Sequence, residues 1–99
     1  MINIIAILEV KNREKFNKFE TQAIKIMRSH SGKLVTAFEP DILCSSDLDG
    51  IEVHYIQFPD LDKYNNYRAD PAFAALSQLR SSAIRNTQLY VSDKVKDYV

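Results

Sequence analysis

The chain has 99 residues, 45% apolar and 26% charged, which is enough for one domain with a core and unlike a disordered chain. Thirteen basic residues balance thirteen acidic ones, so the cationic excess that marks a nucleic-acid binder is missing. One cysteine (Cys44) and two histidines (His30 and His54) exclude a disulfide framework and a zinc cluster, and Cys44 is expected as a free thiol in a loop.

Residues 2–10 (INIIAILEV) are rich in aliphatic and β-branched side chains and read as a strand. This apolar start contains Glu9 and lacks the basic lead and cleavage site of a secretory leader. No run approaches the ~20 apolar residues that span a bilayer. The expectation is a cytoplasmic protein that touches neither membrane nor nucleic acid. Asn12 offers an N-cap oxygen and Glu14 a negative charge at a helix start. Phe16, Phe19, Ala23, Ile26 and Met27 then recur at helical spacing to about His30, where Gly32 is expected to stop the helix.

Residues 33–39 (KLVTAFE) read as a second strand, 40–50 as a loop, and 51–58 (IEVHYIQF) as a third strand. Asp60 caps a short helix through Leu61, Tyr64 and Tyr67, and Asp70-Pro71 begins a further helical stretch to about Ile84. A fourth strand is expected over 88–92. The order strand, helix, strand, strand, helix, strand predicts a ferredoxin-like α+β fold, a four-stranded antiparallel sheet with its helices on one face. Residues 1–92 would form the domain and 93–99 a charged tail.

A sheet covered on one face should alternate apolar and polar residues. The first strand does not: Ile2, Ile4, Ala6, Leu8 and Val10 point one way, Ile5 and Ile7 the other. The third sets Val53 and Tyr55 against Ile56 and Phe58, and the second sets Leu34 and Phe38 against Val35 and Ala37. The expected remedy is a homodimer through the open sheet face, an isologous contact that uses the same patch twice. The other reading is a monomer whose apolar groove receives a ligand.

His30-Ser31-Gly32-Lys33 resembles a "HGG+" junction, and residues 52–80 (EVHYIQFPDLDKYNNYRADPAFAALSQLR) resemble a "vvieFPs…a…Y…dPeY.aL..lR" pattern. Phe58-Pro59, Asp70-Pro71, Phe73, Leu76 and Arg80 fall on its marks. The chain thus resembles a small domain-of-unknown-function family of the dimeric α+β barrel superfamily. That resemblance implies a ferredoxin-like protomer whose sheet faces that of a second copy. Related families include cofactor-free monooxygenases, small-molecule isomerases, haem-handling enzymes and stress proteins without assigned chemistry, so fold kinship does not choose a function. Ser31 replaces a glycine of the pattern and Phe73 its tyrosine, so no hydroxyl stands at that mark.

A helical wheel places Arg80 within the apolar stripe of Phe73, Leu76, Ala83 and Ile84. A guanidinium there pairs with a carboxylate (Glu9, Glu39 or Glu52), snorkels past the sheet edge, or meets an anionic ligand. His54 lies mid-strand, and an imidazole in a dry cavity suits proton transfer. His30 ends the first helix as a cap or a group at a pocket rim, and Tyr90 is expected to bring a hydroxyl to the cavity of His54. Tyr64 and Tyr67 read as dimer-interface tyrosines. With Gly32 and Gly50 the only glycines, a dinucleotide fingerprint is impossible, and no cofactor is called for.

Two functions follow. One is a cofactor-independent enzyme acting on a small organic acid or phenol-like molecule, with His54 as catalytic residue and Arg80, Tyr90 and His30 binding the ligand. The other is a non-catalytic small-molecule-binding or stress-related dimer.

Overall fold

The computed structural model describes residues 1–41 and 50–98. Cys44 therefore lies outside the described residues. The elements run β1 (Ile2–Val10), α1 (Arg13–Ser29), β2 (Lys33–Phe38), β3 (Ile51–Phe58), α2 (Leu61–Ala69), α3 (Pro71–Ala74), α4 (Ser77–Ala83) and β4 (Ile84–Ser92). The strands form one antiparallel sheet in the order β2-β3-β1-β4, which is the ferredoxin-like arrangement.

The caps are those the sequence offers. Asn12, Asp60 and Asp70 accept hydrogen bonds from the backbone N–H groups of Lys15, Lys63 and Ala72, and Pro71 takes the first turn of α3. The stop of α1 differs from expectation. Ser31, at φ 65°, occupies the left-handed position. Its N–H bonds the Arg28 carbonyl (3.1 Å) and the Gly32 N–H reaches back to Met27 (2.9 Å), closing a Schellman turn. Gly32 is needed for room instead: a Cβ there would lie 2.6 Å from the Phe58 ring and against Met27 Cγ.

The stretch after Asp70 is broken where a continuous helix was expected. Leu76 adopts φ −89°, ψ 3°, and its N–H bonds Phe73 three residues back. Beyond that turn the Arg80 N–H bonds Leu76 (2.8 Å), and Arg80, though exposed, keeps the side of Ile84 at the edge of the space beneath the helices. The fourth strand also begins earlier than read, at Ile84.

Ile2, Ile4, Ala6 and Leu8 of β1 and His54, Ile56 and Phe58 of β3 are buried beneath the helices. They divide into two apolar groups. One joins Ile4, Met27, Ile56, Phe58, Tyr64 and Tyr67; the other joins Ala6, Leu8, Phe16, Phe19, Ala23 and Ala83, with Phe73 packed against both. On the opposite face Ile5 and Ile7 lie beside Val53, Tyr55 and Tyr90, and no described helix packs there. A register shift between Leu34 and Thr36 turns β2 over, so Phe38 pairs with Val53 and belongs to this open face instead of sharing that of Leu34.

Candidate functional site

Between the two apolar groups lies a cavity of about 270 Å³. Its walls are apolar: Ile4, Ala6, Leu8 and Ile56 from the sheet, Phe19, Ala23 and Met27 from α1, and Tyr67 and Phe73 from the outer helices. Glu20, His54, Arg68, Arg80 and Thr87 supply most of its polar groups. Apolar walls with polar groups at a few points are the usual make-up of a small-molecule site.

His54 anchors the polar end. It is 3% exposed, and β3 carries it inward by the same alternation that buries Ile56 and Phe58. Its Nε2 lies 2.6 Å from Glu52 Oε2, two residues back on the same strand face. Arg13 donates to Glu52 Oε1 at 2.8 Å and reaches Glu39 at 3.2 Å. The ring is packed edge-on against Phe16 (6.1 Å between centroids). In the neutral ring, a proton on Nε2 shared with Glu52 leaves Nδ1 as the acceptor nitrogen.

Nδ1 faces Glu20 Oε2 at 3.8 Å. Burial pushes the Glu20 carboxyl above its usual range; His54 pulls it back down, Glu52 adds to the rise, and Arg80 lowers it. Burial likewise drives the Tyr67 hydroxyl well above the ordinary tyrosine range. Tyr67 stacks on Phe58 and Phe73 (5.5 and 4.7 Å) and stays a neutral donor in the wall.

Arg80 stands at the edge of the cavity and donates to Thr87 Oγ1 at 3.1 Å. None of the three candidate partners holds it: Glu39 and Glu52 pair with Arg13, and Glu9 pairs with Arg85 at 3.1 Å. Arg68, a second guanidinium in the lining, donates to Tyr64 Oη at 3.3 Å.

The expected site residues therefore separate. His54 and Arg80 line one cavity. Tyr90 is not with them: it pairs with Ile5 on the open face, 60% exposed, while its neighbour Leu89 faces the cavity. The period of two along β4 forbids both from pointing the same way. His30 lies behind the wall. Its Nε2 bonds Asp70 Oδ2 at 2.7 Å and its ring rests against Tyr67. That hydrogen bond, with the Ala72 N–H, holds the Asp70 carboxyl below its usual range. Tyr64 and Tyr67 are core residues of the protomer, not interface residues. Glu20 was missed, although a signal existed: it lies four residues after Phe16 and three before Ala23, an acid inside the apolar stripe of α1.

The sequence model described as "Domain of unknown function (DUF1330)" matches residues 3–94. No curated protein matches the sequence. Among solved structures, a protein of unknown function from Rhodopseudomonas palustris is similar at a TM-score of 0.81 and 14% identity, over 97% of this chain and 83% of that one. A NIPSNAP family protein with unknown function from Agrobacterium tumefaciens gives 0.68 and 25%, over 93% and 86%. SnoaB, a cofactor-independent oxygenase from Streptomyces nogalater, gives 0.71 and 13%, over 98% and 95%.

Proposed function

We propose that this chain, which belongs to the DUF1330 family, is a cytoplasmic homodimeric enzyme that works without a cofactor on a small organic acid or phenol-like molecule. The observation that carries this is the buried His54. Its Nε2 is engaged by Glu52 and its Nδ1 is turned toward Glu20, at the polar end of an otherwise apolar cavity. A fixed tautomer and a basic nitrogen directed inward are what a proton carrier requires. Arg80, with Thr87 as its protein contact, meets the ligand's anionic group at the mouth. SnoaB, a cofactor-independent oxygenase of similar fold, supports chemistry without a cofactor on this fold. Among the described residues no helix is long and apolar enough to cross a membrane.

The dimer rests on the open face. Ile5, Phe38 and Tyr90 are 37%, 52% and 60% exposed on one side of the sheet, with Ile7 and Val53 between them. A second copy laid on that side removes an apolar patch of the kind that marks interaction surfaces.

The test is a thermal-shift panel of small carboxylates and phenols on the wild type and on Arg80→Leu. A ligand confined to the folded state stabilises it by about 2.7 kcal/mol at a hundred times its Kd. The expected result is a ligand-induced rise in Tm that disappears in a folded Arg80→Leu protein. The same rise in both proteins removes Arg80 from the site. A bound ligand that is never chemically altered turns the reading to a non-catalytic binding dimer.

A further inference from the structure

Glu20 is the unexplained group of this cavity. Among the described residues it makes no hydrogen bond, and its ion contact is the 3.8 Å approach to His54 Nδ1. Its side chain remains 17% exposed, and the carboxyl belongs to the cavity lining. An acid placed by α1 opposite a base placed by β3 forms a pair with the substrate space beside it.

We infer that Glu20 is a second proton-transfer group, working opposite His54 on a small carboxylate that has an acidic C–H beside a carbonyl. The inference rests on the reading of the cavity given above and names its substrate class. His54 Nδ1 takes the proton from carbon. The electron pair of the broken C–H bond forms a C=C bond, and the carbonyl oxygen takes the proton of the Glu20 carboxyl. The product is the enol. An imidazolium on His54 then faces a carboxylate on Glu20, and return of the proton across that gap restores both groups. Atoms and electrons balance, and no oxidant or reductant enters.

Each part fits the surroundings. The base needs a ring nitrogen turned to the cavity, and Glu52 at 2.6 Å from Nε2 leaves Nδ1 on the side of Glu20. The acid must carry its proton, and burial favours that form of Glu20. Arg80 supplies the cation for the substrate's carboxylate, and Phe19 and Phe73, 6.4 Å apart, supply an apolar wall.

Phenylpyruvate is the probe, since it combines a carboxylate, a keto group with an enolisable carbon beside it, and an apolar ring. Deuterium uptake at that carbon from D2O is followed by proton NMR. Wild type is expected to exchange faster than buffer. His54→Ala and Glu20→Gln are each expected to lower the enzymatic rate by about 100-fold or more while still melting cooperatively. Glu20→Asp, which keeps the carboxyl but withdraws it by one methylene, is expected between wild type and Glu20→Gln. Undiminished exchange in Glu20→Gln, with exchange lost in His54→Ala, overturns the role of Glu20 and leaves the histidine reading standing. Wild-type exchange no faster than buffer overturns both.

Discussion

His54 and Tyr55 are neighbours on β3 and face different worlds. His54 points under the helices, 3% exposed, engaged by Glu52 and facing Glu20. Tyr55 points to the open face, where its hydroxyl donates to Asn3 (2.8 Å) and accepts from Gln57 (3.0 Å) amid Ile5, Ile7 and Val53. One strand thus serves a cavity with one set of residues and an apolar surface with the other. The titratable groups of the cavity gather on the side that the helices cover. The polar groups of the open face are mostly amides and hydroxyls, which can be covered by a second copy without burying unpaired charge.

Four substitutions break or sharpen that contrast. Ile5→Lys has the largest expected effect. In an isologous contact the new charge enters twice, and like charges set together cost several kcal/mol, on the order of a 100-fold weaker dimer or more. Light scattering should give the mass of one chain at micromolar concentration, with ligand-induced stabilisation of the cavity retained. Gly32→Ala acts only beneath the helices. The added methyl meets Phe58 and Met27, and overpacking of this kind costs about 1–3 kcal/mol. Urea unfolding should show that loss, beyond what dimer dissociation causes.

Ser31→Gly should have the opposite sign. A non-glycine residue in the left-handed region costs about 1–2 kcal/mol, part of which is offset by glycine's greater freedom when unfolded. The expected gain is about 1 kcal/mol, a Tm rise of about 4–8 °C for a domain of this size. The last substitution reads the electrostatics of the cavity. A carboxyl raised by burial destabilises the fold wherever it is ionised. The cost is full above the folded-state value and fades as pH falls toward the ordinary 4.5, below which both states hold the proton. Glu20→Gln should therefore raise stability at neutral pH, and the advantage should vanish in acid. Chemical unfolding of both proteins across that range measures it.

Much of the fold was legible in the residues. The bounds of β1 and β3, the three side-chain caps and the doubly apolar pattern of β1 all follow from local chemistry. The departures have local causes of another kind. The turn at Leu76 broke the helix after Asp70 in two, and the bulge in β2 moved Phe38 across the sheet. Neither carries a glycine or proline to announce it. The candidate site was half legible. His54 and Arg80 could be singled out because polar groups among apolar ones are conspicuous. Their meeting with Glu20 could not, because it depends on how α1 lies across β3. The place of Tyr90 depended on the register of β4 with β1, which fixes Leu89, not Tyr90, opposite Ala6. Tyr64 and Tyr67 went inward because Phe58 gives them a buried aromatic partner.

The central claim is that the two faces of one sheet hold separate functions, and isoleucine methyl groups report on both. Ile4, Ile56 and Ile84 line the cavity, while Ile5 and Ile7 lie on the open face. Methyl NMR spectra should be recorded during a phenylpyruvate titration and again during dilution. The account predicts that ligand moves the signals of Ile4, Ile56 and Ile84 and that dilution moves those of Ile5 and Ile7. Ligand-induced shifts concentrated at Ile5 and Ile7, with the other three unmoved, would contradict it.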